Sequence, residues 1–444
     1  MALPSIRIGC GAGFAGDRID PAIELVESGN LDFLVFECLA ERTIAMAQLR
    51  RADDPDSGYD LLLRERIGAV LDQSVRGNVR IITNMGAANP VAAAGQIALL
   101  AQERGHFGLK IAAVVGDDVT VLTSSSAVAT EEGRTTSEMG SALVSANAYL
   151  GSAEIARALD EGAHVVITGR VGDPALFVGA MRHAFGWAED DWHLLGCGTA
   201  IGHMLECAGQ LTGGYFADPG FKDVEGLARL GFPIAEVTPD GIATFSKVAG
   251  SGGEITVRTC TEQLLYEIFD PETYEQPDVT ADFSDVTFIA TDAGVRMTGA
   301  SGRARPDRLK ASIGYRDGFI GEGQISYAGP GALERGRLAL EIVRQRLDLR
   351  SLPIEELRLE VIGVDAVNFT AGAPETPREV RIRAAGRARD RLSAAAVGAE
   401  VEALYTNGPA GGGGAWSAVR EVVAITSARI DREHIDAGLV WMTS

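Results

Sequence analysis

The stretch IRIGCGAGFAGDRIDPAIELVESGNLDFLVFECL (6–39) reads as strand, glycine loop, helix and second strand. Residues 6–9 and 31–36 are runs of branched and aromatic apolar side chains, while Ile19, Ala22, Ile23 and Val26 recur at helical spacing. A strand that is apolar on both faces, followed by a helix and another such strand, belongs in a parallel sheet covered on both sides. Working outward, the alternation continues with strands at 79–83, 110–115 and 164–168, and with helical patterns through Leu63, Ile67, Val70 and Leu71 and along 91–100. Asp20-Pro21, Asn89-Pro90 and Asp173-Pro174 each put a capping acceptor before a proline suited to a first helical turn, and Gly29, Gly105 and Gly162 read as helix stops. The pattern predicts a doubly wound α/β domain with a parallel sheet over 1–280. From about 286 it changes, with strands at 286–290, 357–361 and 380–384, a helix at 332–347, an Ala-rich helix, a glycine loop at 408–414 and a last strand at 421–430. This predicts a second, smaller α+β domain over 281–444.

The chain of 444 residues has a formal net charge of −21 and a pI near 4.8, with no basic run able to track phosphates, so nucleic acid is not an expected partner. At 46% hydrophobic and 23% charged residues the composition is that of a globular protein with material for a core. No apolar run approaches the roughly 18 to 20 residues that span a bilayer, and residues 1–13 lack the regions of a signal peptide, so no membrane association and a cytoplasmic location are expected. The five cysteines are odd in number and without a CxxC pair, which suggests reduced, mostly buried thiols. The 54 glycines gather in GCGAGFAG (9–16), TGG (212–214), GSGG (250–253) and GPAGGGG (408–414), where backbone could approach a ligand.

Polar residues follow the predicted strands: the glycine loop with Asp17 and Arg18, then Glu37, Asn84, Asp117 with Asp118, and Arg170. In a parallel α/β sheet such positions share one edge, where ligands bind at a switch in strand order. Glu37, Asp117 and Arg170 are therefore candidate catalytic residues, and Gly11, Gly13, Gly16, Asp17 and Asn84 candidate ligand-binding residues. Gly11, Gly13 and Gly16 satisfy GxGxxG, with Glu37 at 21 residues beyond Gly16, where a ribose-binding acid would sit. Asp20-Pro21 starts the helix after the motif, however, whereas the dinucleotide fingerprint needs helix amides within it. A dinucleotide, another anion such as a CoA or carboxylate group, and a structural turn all stay open. In GHMLECAGQ (202–210), His203, Glu206 and Gln210 share a helical face at i, i+3 and i+7. They suit acid/base work, a metal ligand pair or a buried polar contact, though no second HxxE or HxxxH motif supports a metal. His203 and Glu206 join the catalytic candidates, and no metal site is assigned. GxSxG, HExxH and P-loop motifs are absent. Lys247 before Gly250 and Ser251 reads as a hairpin lysine, and residues 262–269 as a packing helix.

The series GAGFAGDR (11–18), FECLAERT (36–43), TNMGAANP (83–90), VVGDDV (114–119), ANAYLG (146–151), ITGRVGDPAL (167–176), GHMLECAGQLTGGYF (202–216), TEQLLYEIFDP (261–271) and NGPAGGGG (407–414) resembles the acyclic terpene utilisation protein AtuA family, in order from the first strand to near the C-terminus. Glu37-Cys38 replaces the more usual Asp-Tyr, and the ferredoxin-like domain that many members append is not expected before Ser444. The resemblance implies a place among acyl-CoA enzymes, acting on a small acyl-CoA thioester or carboxylic acid; CoA enters only as part of the substrate, and any cofactor is left unknown. The expected activity is lyase or hydratase chemistry by acid/base catalysis. The alternatives are an NAD(P)- or flavin-dependent oxidoreductase and a non-catalytic acyl-CoA-binding or scaffold subunit. A homo-oligomer, associating with other acyl-CoA pathway enzymes, is expected.

Overall fold

The computed structural model describes residues 4–367 and 377–444. The opening alternation becomes β1 (Ile6–Ala12), β2 (Phe33–Phe36), β3 (Arg80–Thr83), β4 (Lys110–Val115), β5 (Leu143–Ala148) and β6 (Val165–Thr168). Five of these lie side by side in the order β1, β2, β3, β6, β4, and each pairing is parallel. β2 and β6 are buried along their whole length. That burial is why they read as unbroken apolar runs. α1 (Asp20–Ser28), α2 (Glu41–Asp53), α3 (Leu63–Gly77) and α4 (Pro90–Glu103) follow the first strands, then α5 (Thr120–Ser125), α6 (Thr136–Met139), α7 (Ala153–Asp160), α8 (Ala175–Phe185) and α9 (Trp192–Glu206). α1, α3 and α4 pack in one helical layer and α7, α8 and α9 in another. The core between them includes Ile8, Leu34, Val35, Ile82, Val114 and Val166, all fully buried.

The parallel strands are the centre of a larger, mixed sheet of ten. β7 (Pro233–Val237) pairs antiparallel with β1, and β8 (Ala243–Lys247) with β7. After α10 (Val257–Leu265), β9 (Tyr274–Glu275), β10 (Thr280–Asp282) and β13 (Ser301–Arg303) make a small separate sheet, while the hairpin of β11 (Thr287–Thr291) and β12 (Gly294–Thr298) extends the large one through β8. The strand expected at 286–290 thus lies in the large sheet. β14 (Arg308–Ala328) leads out of the first compact unit, which runs to Gly314 and resumes at Ile425–Ser444; the second unit is Tyr315–Ala424.

In the second unit β15 (Ile354–Ile362) and β16 (Glu379–Ala388) pair antiparallel, β16 pairs antiparallel with β14, and the sheet order ends at β17 (Gly413–Asp431). α11 (Ala332–Leu349) and α12 (Arg391–Glu402) cover β16 around a core with Ile325, Val343, Ile382 and Val397. This is the smaller α+β arrangement. β18 (Gly438–Thr443), a strand absent from the sequence reading, returns to the large sheet and pairs antiparallel with β4. Its run GLVWMT is too short and too half-exposed to announce itself by periodicity.

Two capping expectations are corrected. Asn89 does cap α4, its side chain accepting from the Ala92 amide at 3.2 Å. Asp20 is instead the first residue of α1, whose N-cap is Ile19 without a side-chain bond. Asp173 is not a cap either, because α8 begins at Ala175 after Pro174 and the Asp173 carboxylate turns to Arg170. An aspartate beside a guanidinium gains a charge-assisted bond stronger than a neutral cap. The helix expected over 262–269 is α10, shifted toward the N-terminus by the capping box of Thr256 and Thr259.

Candidate active site

Glu37, Asn84, Asp117 and Arg170 stand just beyond the carboxyl ends of β2, β3, β4 and β6, and all four are buried. Glu37 Oε1 accepts from Asn84 Nδ2 at 2.8 Å and from the Leu39 amide at 2.9 Å, while Asn84 Oδ1 accepts from the Cys38 amide at 2.7 Å. Burial, joined by the charge of Asp173, pushes the Glu37 carboxyl well above the usual carboxylate range. On the next strands Asp117 Oδ2 accepts from Asn147 Nδ2 and from the Arg170 amide, each at 2.9 Å. Burial raises Asp117 to about 6. Gly169 is glycine because a Cβ there would fall 2.5 Å from an Asp117 oxygen. The close approach lets the β6 loop lay its backbone on that carboxyl.

Arg170 is the centre of the arrangement. Its guanidinium donates to the carbonyls of Val171 (2.8 Å) and Leu39 and to the Asp173 carboxylate, and it lies 4.5 Å from the centre of the Tyr149 ring. The Arg170 guanidinium is therefore already engaged, with Asp173 as its carboxylate partner. Tyr149 donates to Glu41 Oε1 at 2.6 Å, and Lys310 Nζ reaches the same oxygen at 3.2 Å while lying 5.0 Å from the Tyr149 ring. Burial works to raise Glu41, but the Tyr149 hydroxyl, with Lys310 and Arg170, holds it down at about 2. Burial raises Asp173, against the pull of Arg170.

Glu41, Tyr149, Asp173 and Lys310 line a cavity of about 440 Å³, walled further by Glu267 and Tyr274. Glu37, Asn84, Asp117 and Arg170 are not among the residues that line it; Arg170 meets it through its bond to Asp173. Sequence reasoning missed Glu41, Tyr149 and Lys310 and assigned Asp173 to a helix end. Only the loop position of Asp173 after a strand could have suggested more.

His203 and Glu206 meet as their spacing predicted. His203 Nδ1 is 2.9 Å from Glu206 Oε1, and its Nε2 is 3.2 Å from the Leu264 carbonyl. Burial lifts Glu206 to about 7, with Asp173 and Glu267 adding to the rise against His203; for His203 burial pulls down, but the bond to Glu206 prevails and its pKa is raised. Glu206 Oε2 is buried with no hydrogen-bond partner. Gln210 departs from that face, because α9 ends at Glu206 and residues 208–210 form a 3-10 turn. Among the described residues, no group of three or more His, Cys, Asp or Glu is placed to hold a metal ion.

The glycine loop is closed on itself. Asp17 Oδ2 accepts from the Gly13 amide at 2.9 Å, a Cβ on Gly13 would fall 2.5 Å from the Cys207 backbone, and Gly11 is pressed on the Phe36 ring. Gly16 packs against Phe14 in the same way, and buried Arg66 ties the loop down through the carbonyls of Ala15 (3.3 Å) and Asp17 (2.9 Å). The site defined by these elements is a cluster of buried carboxyls organised around one arginine, at the carboxyl edge of a mixed α/β sheet. A family model described as acyclic terpene utilisation family protein AtuA matches residues 6–441, and the chain belongs to that family. Among curated proteins, none matches it. Among the described residues, no helix is long and apolar enough to cross a membrane.

Proposed function

We propose that this protein is an enzyme of acyl metabolism that transfers protons on a small acyl thioester or carboxylic acid, in hydratase or lyase chemistry. Membership of a family described by terpene utilisation supports a role in terpene or acyl metabolism. The observation that carries the chemical reading is Asp173, a carboxylate fixed by Arg170 beside acids raised by burial, and open to the cavity with 38% of its side chain exposed. Raised carboxyls suit general acid/base catalysis near neutral pH. In this reading Asp173 exchanges a proton with the carbon next to the acyl carbonyl. Arg170 holds Asp173 in place, Lys310 brings positive charge to the anionic end of the substrate, and the raised carboxyls of Glu37 and Glu206 keep protons in reserve behind it. The oxidoreductase reading is weaker, since it asks the glycine loop for an amide that Asp17 already engages.

The test is turnover by the purified protein with a panel of enoyl- and hydroxyacyl thioesters, beside the Asp173→Asn variant. We expect turnover that drops by about 10²- to 10⁴-fold in the variant, the usual contribution of a positioned acid/base. An unchanged rate in Asp173→Asn would remove Asp173 from the chemistry, and bound flavin or nicotinamide absorbance would favour the oxidoreductase.

A further inference from the structure

A second, smaller cavity of about 220 Å³ is lined by Tyr215, Phe216, Leu265 and Tyr266, with Gln210 and Gln263 among its few polar walls. It differs in character from the ionic cleft, which has Glu41, Asp173, Glu267 and Lys310 on its surface. Consecutive residues of one segment line the two. In the connection that leaves α10, Leu265 and Tyr266 line the small cavity, while Glu267 and Phe269 line the cleft. Glu267 takes a left-handed backbone (φ +60°), which turns the chain between the two sides.

The rim is unusual for a chain with so large an acidic excess. Tyr215 is 88% exposed and Leu265 61% exposed, and the Tyr215 ring stands edge-on to Tyr266 at 6.2 Å. Tyr215 is also held at φ +59°, a conformation that costs a non-glycine residue of order 1 kcal/mol and here aims an aromatic ring at solvent. Lys222, the cation beside Phe216, is paired with Glu262, which lines this cavity. Large apolar side chains gathered at a concave surface gain free energy only when something apolar covers them.

We infer that the small cavity is the seat for the hydrocarbon chain of a ligand whose polar end occupies the ionic cleft. The chain lies across Leu265 and Tyr266, and the carbonyl end sits on the Glu267 side. The ligand class is a carboxylate or thioester carrying an apolar tail of several carbons. The inference rests on the acyl reading above, and it concerns which members of that class bind.

The experiment is calorimetric binding of butyrate, hexanoate, octanoate and decanoate to the full chain and to the Leu265→Ser and Tyr215→Ser variants, both at exposed positions. In the wild type we expect affinity to rise with length by up to about fourfold per buried methylene, equivalent to ~0.8 kcal/mol, and then to level off as the cavity fills. Both variants should flatten that dependence while leaving butyrate binding unchanged. Length-independent binding, or a length dependence untouched by both substitutions, overturns the inference. The two readings fail separately: thioester turnover with no length dependence removes the tail site alone, whereas length-dependent binding lost in Leu265→Ser, without turnover of any thioester, removes the reaction alone.

Discussion

At the level of single residues, Asp173 and Gly13 show how context assigns a role. Asp173 stands before a proline, where an aspartate ordinarily caps a helix, yet Arg170 three residues earlier captures its carboxylate and turns it to the cavity. Gly13 fits a nucleotide fingerprint, yet its constraint is packing: the Cys207 carbonyl carbon lies where a Cβ would be, at 2.5 Å. Gly13→Val should therefore be destabilising whether or not any ligand binds the loop, by about 1 to 3 kcal/mol for a side chain forced into a packed site. Thermal melting of the ligand-free variant checks this. A melting temperature equal to that of the wild type would mean that the loop is free to move aside and could still serve a ligand.

Among the elements, the parallel strands act as a rack that delivers Glu37, Asn84, Asp117 and Arg170 to one edge, and the helices that follow fix the loops between. α4 depends on Asn89 for more than its cap. Besides accepting from the Ala92 amide, Asn89 donates through Nδ2 to the carbonyls of Pro55 and Ser57, each at 2.9 Å, and so ties the loop after α2 to the start of α4. Replacing a capping Asn by Ala costs typically ~1 kcal/mol, and the loss of both loop bonds adds to that. Asn89→Ala should lower the denaturation midpoint accordingly, with the slope of the denaturant dependence unchanged. A stability loss below about 0.5 kcal/mol would show that the cap and both loop bonds contribute little.

For the molecule as a whole, the buried acids set a pH dependence of definite sign. Asp117 and Glu206 are raised to about 6 and about 7, and Glu37 and Asp278 are also raised, burial being the leading cause in each. In the unfolded chain these carboxyls titrate near 4, so between about pH 4 and 7 the folded state holds more protons and stability falls as pH rises. His203, also raised, acts in the same direction, since its stabilising charge is lost as pH climbs through its folded pKa. Relief of repulsion among the −21 net charges on acidification adds to the trend. Glu41, held at about 2, works oppositely, but only below pH 4. The melting temperature should be higher at pH 5.5 than at pH 8, and Glu206→Gln should shrink the difference. A flat or inverted profile in the wild type would show that these carboxyls are not buried in their neutral form.

The sequence by itself determined the parallel alternation, the smaller α+β part after it, the pairing of His203 with Glu206 and the family. Those features rest on local signals: strands buried on both faces need unbroken apolar runs, helices need their periodicity, and residues three apart on a helix meet without help from the rest of the chain. Glu37, Asn84, Asp117 and Arg170 were legible for the same reason, as residues that end strands. Tertiary structure alone decided the antiparallel strands flanking the core, including β18 on β4, because edge strands are short and half-exposed and carry little pattern. It also decided the cavity. Glu41, Tyr149, Asp173 and Lys310 are far apart in the chain and ordinary in their local surroundings, and they share one cavity only where the start of α2, the loop after β5, the loop after β6 and β14 come together. Charges interact through space, and no spacing along the chain records which of them will share a cavity.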